Sequence, residues 1–213
     1  MNQEKIFRSV DHTVLKQTAD WSAVQKLCDE AIAGGAASVC IPPCYVAGVK
    51  AYVQERIPIC TVVGFPNGYQ TTLVKLVETK EALANGADEI DMVINLCDVK
   101  NGAWQKVQHE IKALKQACGQ RILKVIVEAC YLTREEKVTL CHIVTDAGAD
   151  YIKTSTGFGS SGAAVEDVQL FAQEIGSQVQ IKAAGGIRTL ETAAQMLDAG
   201  AHRLGSSALL AEK

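Results

Sequence analysis

Three observations predict that residues 1–213 form an α/β protein built as one (β/α)8 barrel, that is, a single-domain TIM barrel. The chain has 213 residues, and a closed barrel of this kind uses roughly 200 residues or more for one core. A pattern in which a helical segment ends at glycine and a short apolar strand follows recurs four times. The strand candidates are apolar on both faces, which is typical of parallel sheets that helices cover.

The recurring pattern starts at Gly35, Gly86, Gly148 and Gly200, and alanine follows each glycine. A glycine just beyond a helix adopts the left-handed conformation that stops the helix. The repeats lie far enough apart for two βα units each, because one βαβ crossover takes about 30 residues. Four repeats of two units predict eight strands.

Eight strand candidates alternate with helical segments along the chain. They cover residues 10–13, 39–40, 62–63, 90–94, 122–127, 151–152, 179–181 and 203–205. An open doubly wound sheet is the alternative arrangement. It would carry a G-x-G-x-x-G turn after its first strand, and this sequence has none there, so the closed barrel is favoured.

Three helices have clear sequence signals. Thr133 and Glu136 form a capping box that predicts one helix start. Thr189 predicts the start of another helix, which ends before Gly200. A third helix is predicted over residues 73–84. Its apolar residues recur with a period close to 3.6 and are Leu73, Leu76, Val77 and Leu83.

Charge and composition exclude several classes of function. The net charge is −3 and no basic run is present, which argues against nucleic acid or a membrane surface as a partner. The first residues lack a secretory pattern, and no stretch reaches the roughly 18 to 20 apolar residues of a membrane span. We therefore expect a cytoplasmic protein.

The eight cysteines are scattered and form no C-x-x-C pair, and the four histidines have no acidic neighbour at ligand spacing. This distribution is typical of free thiols in a reducing compartment. A metal site is therefore not expected.

Two lysines stand at the ends of strands that are otherwise apolar. Lys153 follows Tyr151-Ile152, and Lys182 belongs to the next strand. One interpretation is structural, with each lysine reaching solvent or forming an ion pair. A strand of a parallel barrel has no solvated face, however, and neighbouring strands run about 4.8 Å apart. Like charge and loss of hydration disfavour protonated lysine, so the pair favours a neutral amine, which imine formation requires.

Counting five residues from each repeat glycine gives Cys40, Asp91, Lys153 and Gly205. If the repeats superpose, these positions share one orientation near the carboxyl ends of their strands, where barrel enzymes have their active sites. Cys40 is therefore a candidate reactive thiol for α,β-unsaturated aldehydes. The alternative is a buried, inert thiol.

Asp91 and Asp11 are candidate charge partners of the lysines. Asp91 interrupts an apolar strand, where a charge is costly unless it is paired or used. We expect it to neutralise the lysines and to move protons during imine formation and carbon–carbon cleavage. Asp11 is a candidate member of the same network, with a helix N-cap as the alternative.

Small residues fill the loops after the last three strand candidates. These loops include Gly157 to Gly162, Gly185-Gly186-Ile187-Arg188-Thr189 and Gly205-Ser206-Ser207. Backbone N–H groups of glycine-rich turns and the positive end of a helix bind phosphate. Barrels often bind phosphate in their last two loops, so the sequence predicts a phosphate site there.

Several segments together resemble the deoxyribose-phosphate aldolase family of class I aldolases. The matching segments occur in order from about residue 11 to residue 210. They are DHT at 11–13, GFPNG at 64–68, DEIDMVIN at 88–95, KVIVE at 124–128, KTSTG at 153–157, GAAVEDV at 162–168 and KAAGGIRT at 182–189.

The resemblance implies a TIM barrel that reversibly cleaves 2-deoxy-D-ribose 5-phosphate to D-glyceraldehyde 3-phosphate and acetaldehyde, in deoxyribonucleoside catabolism. It implies that Lys153 forms the imine, that Lys182 perturbs it and that Asp91 shuttles protons, without a metal or organic cofactor. The phosphate-binding residues that it implies are Gly157, Gly185, Gly186, Arg188, Gly205 and Ser207. Thr154 and Ser206, which lie in the same loops, are further candidate substrate- or phosphate-binding residues. A homodimer is the expected assembly.

The sequence departs from the family at Ala208, where many relatives have a second serine, and at Ala211-Glu212-Lys213, where some relatives have a tail with a tyrosine. We expect these departures to affect rate more than reaction type. An aldolase or lyase of another phosphorylated sugar is the alternative enzyme. A catalytically silent barrel that senses sugar phosphates is the alternative from another class, and the presence of Lys153, Lys182 and Asp91 argues against it.

Overall fold

The computed structural model describes residues 2–211 and contains eight parallel strands that close into one barrel in sequence order. The strands are β1 (Val10–Thr13), β2 (Ser38–Ile41), β3 (Ile59–Val63), β4 (Glu89–Val93), β5 (Ile122–Ile126), β6 (Tyr151–Lys153), β7 (Gln180–Ala184) and β8 (Arg203–Ser206). β8 pairs with β1 and closes the barrel. The predicted fold is confirmed, and every predicted strand overlaps an observed one.

Helices surround the barrel on the outside. They are α1 (Gln3–Phe7), α2 (Trp21–Gly34), α3 (Val46–Val53), α4 (Thr72–Ala84), α5 (Leu96–Lys100), α6 (Trp104–Cys118), α7 (Arg134–Asp146), α8 (Val165–Glu174) and α9 (Leu190–Asp198). Within residues 2–211, no helix is long and apolar enough to cross a bilayer. Glu212 and Lys213, which belong to the chain end discussed above, lie outside the described residues.

The predicted helix starts are confirmed by their caps. Thr133 Oγ1 accepts a hydrogen bond from the Glu136 N–H at 3.2 Å, and the Glu136 carboxylate accepts one from the Thr133 N–H at 2.8 Å. Thr189 Oγ1 accepts a hydrogen bond from the Thr192 N–H at 3.1 Å. These bonds satisfy N–H groups that a helix start leaves without a partner.

The helix α4 forms where it was predicted, but only part of its apolar stripe faces the core. Leu76 and Leu83 are partly buried and pack against the core, whereas Leu73 and Val77 are 71% and 57% exposed. The buried positions of the helix are Lys75, Thr79 and Ala82. The apolar period therefore predicted the helix but only part of its buried face.

The interior of the molecule has two layers of different character. Between strands and helices the core is apolar, with residues such as Val39, Ile90 and Ile152 fully buried. Inside the barrel, charged side chains such as Asp91 and Lys182 are fully buried as well. Because buried charges are costly unless they are paired, the charged side chains inside the barrel are candidates for a functional site.

Candidate active site

The four positions marked by the sequence repeat lie on alternate strands. Cys40, Asp91, Lys153 and Gly205 belong to β2, β4, β6 and β8. Lys153 Nζ lies 2.7 Å from Asp91 Oδ2, and a Cβ on Gly205 would lie 3.4 Å from Lys182 Cε. Alternate strands of a barrel contribute one layer of inward side chains, and the repeat reflects this layer.

Asp91 is the centre of a cluster of three lysines. Its Oδ2 lies 2.7 Å from the Nζ atoms of both Lys153 and Lys182. Its Oδ1 lies 2.8 Å from Lys124 Nζ. The first two nitrogens contact the same oxygen, so they are no farther apart than twice that contact distance. The two lysines that the sequence predicts to be neighbours therefore share one carboxylate.

Lys124 also belongs to this cluster, although the sequence repeat does not mark its position. It projects from β5, is fully buried, and contacts Glu89 Oε2 at 2.6 Å and Cys60 Sγ at 3.2 Å. A lysine between apolar neighbours in a strand was the available signal, and it is the same signal that marked Lys153. The repeat did not highlight it because Lys124 lies on an odd-numbered strand.

A second carboxylate extends the network. Asp11 Oδ2 lies 2.5 Å from Lys182 Nζ, and Asp11 Oδ1 lies 2.6 Å from Arg203 Nη1. Arg203 also contacts Glu89 Oε2 at 3.4 Å. The helix that follows β1 is capped by Asp20. Asp11 therefore belongs to the charged network and is not a helix cap.

The cluster fixes the charge of most of its members. Burial alone would raise the pKa of the Asp91 carboxyl, but the three lysines, Lys124 first, hold that pKa well below its ordinary value. Burial alone would lower the pKa of Lys182, but Asp11 and Asp91 raise it above its ordinary value. Asp91 raises the pKa of Lys124 in the same way. At neutral pH Asp91 is a carboxylate, and Lys124 and Lys182 are ammonium ions.

Lys153 differs from the other two lysines because it lies beside a cavity. It lines a cavity of about 380 Å³ at the carboxyl ends of the strands, whereas Lys124 and Lys182 are fully buried. An amine at the edge of a cavity can reach a bound carbonyl group, and a fully enclosed amine cannot. Lys153 is therefore the candidate nucleophile of the three.

The same cavity gathers most of the predicted phosphate residues. Its wall includes Gly157, Gly185, Gly186, Arg188, Gly205, Ser206 and Ser207. Gly185 has a φ of +87°, and a Cβ on it would lie 2.9 Å from Gly162 Cα. Because only glycine combines this conformation with so close a contact, the loops after β6 and β7 pack tightly beside the cavity. The helix α9 starts directly after this wall.

Two predicted residues have a structural role instead of facing the cavity with their hydroxyl groups. Thr154 is fully buried, and its Oγ1 donates to the Ala184 carbonyl at 3.2 Å and accepts from the Ala184 N–H at 3.1 Å. Ser206 Oγ donates to the Ile187 carbonyl at 2.7 Å and accepts from the Ala208 N–H at 3.1 Å. Both hydroxyls join neighbouring segments, so the Thr154 side chain does not line the cavity and the Ser206 side chain is already engaged.

Cys40 does not face the cavity mouth. It is fully buried and packs against Cys60 and Val62. A hydrogen bond with Cys60 lowers the pKa of the Cys40 thiol, whereas burial raises that of Cys60. The predicted reaction with unsaturated aldehydes requires Cys40 to face the cavity mouth, and in this structure Cys40 does not.

A second, more apolar cavity of about 320 Å³ adjoins the first. Leu15, Lys16 and Phe158 line both cavities. Phe158 packs edge to face against Phe65, with their ring centroids 5.4 Å apart. Val62 also lines the apolar cavity, which places this cavity directly above the cysteines Cys40 and Cys60.

Comparison with known proteins gives one consistent result. Residues 6–212 match the model of the DeoC/LacD family of aldolases. Deoxyribose-phosphate aldolase of Clostridium botulinum (strain Eklund 17B / Type B) is 56% identical over 207 residues, which cover 97% of this chain and 94% of the relative. Deoxyribose-phosphate aldolase of Streptococcus agalactiae serotype Ia is 53% identical over 210 residues, which cover 99% and 94%.

A solved structure agrees with the sequence comparison. The structure of deoxyribose phosphate aldolase from Aeropyrum pernix, a tetramer, superposes with a TM-score of 0.89 at 30% identity. The match covers 98% of this chain and 89% of that one. The chain thus belongs to the DeoC/LacD family of aldolases.

Proposed function

We propose that this protein reversibly cleaves 2-deoxy-D-ribose 5-phosphate to D-glyceraldehyde 3-phosphate and acetaldehyde through an imine on Lys153, as a step in deoxyribonucleoside catabolism. One observation supports this most strongly. Lys153 lines the cavity, and its Nζ lies 2.7 Å from the Asp91 carboxylate. A nucleophilic amine and a proton-transfer group are thereby adjacent at the point where a substrate carbonyl would enter.

The charge balance of the barrel interior leaves Lys153 free to react. The network has three carboxylates, Asp11, Glu89 and Asp91. Three basic groups other than Lys153 contact them, namely Lys124, Lys182 and Arg203. Use of Lys153 as the nucleophile therefore leaves no buried carboxylate without a counter-charge.

Imine formation uses the two groups in sequence. Lys153 Nζ attacks the aldehyde carbon of the open-chain sugar, and the resulting carbinolamine loses water to give an iminium ion. Asp91 accepts hydrogen bonds from both Lys153 and Lys182. It is therefore placed to carry a proton between the reacting nitrogen and the departing hydroxyl group.

Carbon–carbon cleavage follows from the iminium ion. Removal of the proton from the 3-hydroxyl group lets the electrons of the C2–C3 bond move to the iminium nitrogen. The products are D-glyceraldehyde 3-phosphate and an enamine on Lys153. Protonation of the enamine carbon and hydrolysis then release acetaldehyde and restore the free amine.

The direct test is reductive trapping. Borohydride added with acetaldehyde should attach a two-carbon group to Lys153, which peptide mass mapping would locate, and Lys153→Met should show no adduct and no cleavage of deoxyribose 5-phosphate. Lys182→Met is the matched control, because it removes a lysine from the same carboxylate but leaves the proposed nucleophile. An adduct on Lys182 or Lys124 in the parent would overturn the assignment.

A substrate panel tests the identity of the sugar. An aldolase of another phosphorylated sugar would use the same lysine chemistry, so trapping alone does not separate the two. We expect deoxyribose 5-phosphate to give the highest kcat/KM in a panel of phosphorylated aldoses and ketoses. A higher value for another sugar would reassign the substrate and leave the imine mechanism intact.

We further propose a homodimer in the cytoplasm. Leu73 and Val77 are more than half exposed and lie four residues apart on α4, so they form one apolar stripe. Tyr69, which precedes the helix, is also more than half exposed. A two-fold axis beside this stripe would bury it in both copies. Light scattering should give twice the chain mass, and Leu73→Glu should give monomers.

The proposed cytoplasmic location is supported by the exposed thiols Cys44 and Cys97, which are typical of a reducing compartment.

A further inference from the structure

Two cysteines far apart in sequence meet inside the barrel. Cys40 and Cys60 are direct partners in the pairing of β2 with β3, and both are fully buried. Their two sulfurs and a carboxylate oxygen of Asp91 all lie within 4.8 Å of one another. Cys60 Sγ lies 3.1 Å from Asp91 Oδ1. Two thiols and a carboxylate thus converge on one point.

We propose that Cys40, Cys60 and Asp91 form a binding site for a thiophilic divalent cation such as Cd²⁺ or Zn²⁺. Binding engages Asp91 Oδ1 and draws this carboxylate away from the lysines. The ion therefore inhibits the aldolase reaction, a consequence that rests on the function proposed above. Binding itself does not depend on that function.

The ligand set and its spacing suit such an ion. Two thiolates and a carboxylate are ligands that zinc and softer cations accept. Bonds of about 2.3 Å to sulfur and about 2.0 to 2.2 Å to oxygen place the ligand atoms of a tetrahedral ion within about 4 Å of one another. The sulfurs and the oxygen need to move little to reach this arrangement. Water can fill the fourth position.

Charge is conserved when the ion binds. Each thiol loses its proton to solvent as its sulfur bonds the metal, so two protons leave and one divalent cation enters. The net charge of the barrel interior is then unchanged. Lys124 Nζ lies 3.2 Å from Cys60 Sγ and offsets part of the effect by which burial raises the pKa of that thiol, so the bond to the metal has to displace the proton.

The apolar cavity supplies a route to the sulfurs. Val62 lines this cavity and forms one buried cluster with Cys40 and Cys60. Leu15 and Phe65 also line the cavity and pack against that cluster. Rotation of these side chains gives an ion access from the side of the barrel where the substrate cavity also opens.

The other cysteines provide controls. Cys141 is buried, and burial raises the pKa of its thiol to about 12. Cys44, Cys97 and Cys130 are exposed or half-buried and would bind a soft metal at the surface. Their replacement by serine gives a background in which the buried pair can be measured.

In this background, Cd²⁺ titration should produce thiolate-to-cadmium charge-transfer absorption in the ultraviolet that saturates at one ion per chain. Aldolase activity should fall in parallel. Cys40→Ala and Cys60→Ala each remove a direct ligand. Each should therefore weaken both effects by at least the roughly 10- to 100-fold that loss of a residue supporting a ligand costs, measured against each variant's own activity without metal. Cys141→Ala should leave both midpoints unchanged.

Three results would overturn the proposal: no charge-transfer band in the background, equal Cd²⁺ affinity in all variants, or saturation of the band with activity retained. The absorption measures the site without reference to catalysis. If the chain had no aldolase activity, the function proposed above would be wrong. The Cd²⁺ titration would still show whether the metal site exists. Because absorption needs only folded protein, a variant with low activity remains informative.

Discussion

The three lysines around Asp91 differ in what each can do. Lys124 and Lys182 are fully enclosed and each contacts at least two carboxylate oxygens, so they remain charged. Lys153 has one carboxylate contact and a side facing the cavity. Two permanent cations thus hold Asp91 ionised while the third lysine is available to react.

Replacement of Lys124 tests this division of roles. In Lys124→Met, Asp91 loses a cation 2.8 Å from its Oδ1, so its pKa should rise towards the ordinary value. We expect the acid limb of the kcat/KM profile to move to higher pH and the free energy of unfolding to fall by about 3 to 5 kcal/mol. Lys137→Met, which breaks an ion pair with Asp167 outside the barrel, is the control. A parent-like pH profile for Lys124→Met would contradict the electrostatic role.

Arg188 provides a separate test of the phosphate site. It lines the cavity, and a charged hydrogen bond contributes about 1.5 to 3 kcal/mol, so Arg188→Gln should lower kcat/KM for deoxyribose 5-phosphate roughly 10- to 100-fold. Unphosphorylated deoxyribose should react at the parent rate. Arg134→Gln, at the start of α7, is the control. An equal loss for both sugars would show that Arg188 does not act on the phosphate.

The sequence predicted the charged residues at the centre of the cluster better than their surroundings. Lys153, Lys182 and Asp91 stood out because a charge in an apolar strand is costly without a partner. Lys124 met the same criterion, but only the structure shows that it points at Asp91. The roles of Thr154 and Ser206 were not predictable, because whether a hydroxyl faces a ligand or a neighbouring loop depends on contacts between distant segments.

At the scale of secondary-structure elements, α4 shows how tertiary contacts override periodicity. Its inward face carries Lys75, which contacts Glu110 Oε2 of α6 at 2.7 Å and the Val93 carbonyl at 2.8 Å. Burial lowers the pKa of Lys75 and raises that of Glu110. For both side chains, the loss of hydration thus outweighs their mutual attraction. The ion pair connects α4, α6 and β4, but its burial costs free energy.

A double-mutant cycle measures this cost. Lys75→Met leaves Glu110 buried without its counter-charge and should destabilise the protein by about 3 to 5 kcal/mol. Lys75→Met combined with Glu110→Leu should restore most of that loss, because apolar groups replace both charges. Urea unfolding of the parent, both single variants and the double variant gives the coupling energy. Additive losses would mean that the two side chains do not act as a pair.

At the scale of the whole molecule, an apolar shell encloses a charged barrel interior. The closed order of strands was predictable from the repeat and from the alternation of strands and helices. Asp11 was a predicted candidate for this interior, but the convergence of Cys60 and Arg203 with it was not predicted, since it depends on the register between strands that are distant in sequence. Charges from β1, β4, β5, β6, β7 and β8 meet there, so the ionic network joins most of the barrel.

This network makes the folded state less stable as the pH falls. The pKa values of Asp11 and Asp91 are lowered in the folded state, because nearby cations outweigh burial. The unfolded chain takes up protons near the ordinary aspartate pKa of about 3.9, but the folded chain does so only at lower pH. Their stabilisation is therefore complete well above pH 4 and is lost as pH falls towards the folded values.

Asp11→Asn should reduce this acid sensitivity. Each carboxylate of this kind adds up to about 1.4 kcal/mol per pH unit to the slope of unfolding free energy between about pH 4 and pH 2. The variant should be less stable than the parent at pH 7, because Lys182 and Arg203 lose a counter-charge, yet its stability should fall less steeply in acid. Asp198→Asn, exposed at the end of α9, should keep the parent slope. Equal slopes for the parent and Asp11→Asn, measured by urea unfolding at each pH, would mean that Asp11 is not held ionised by the barrel cations.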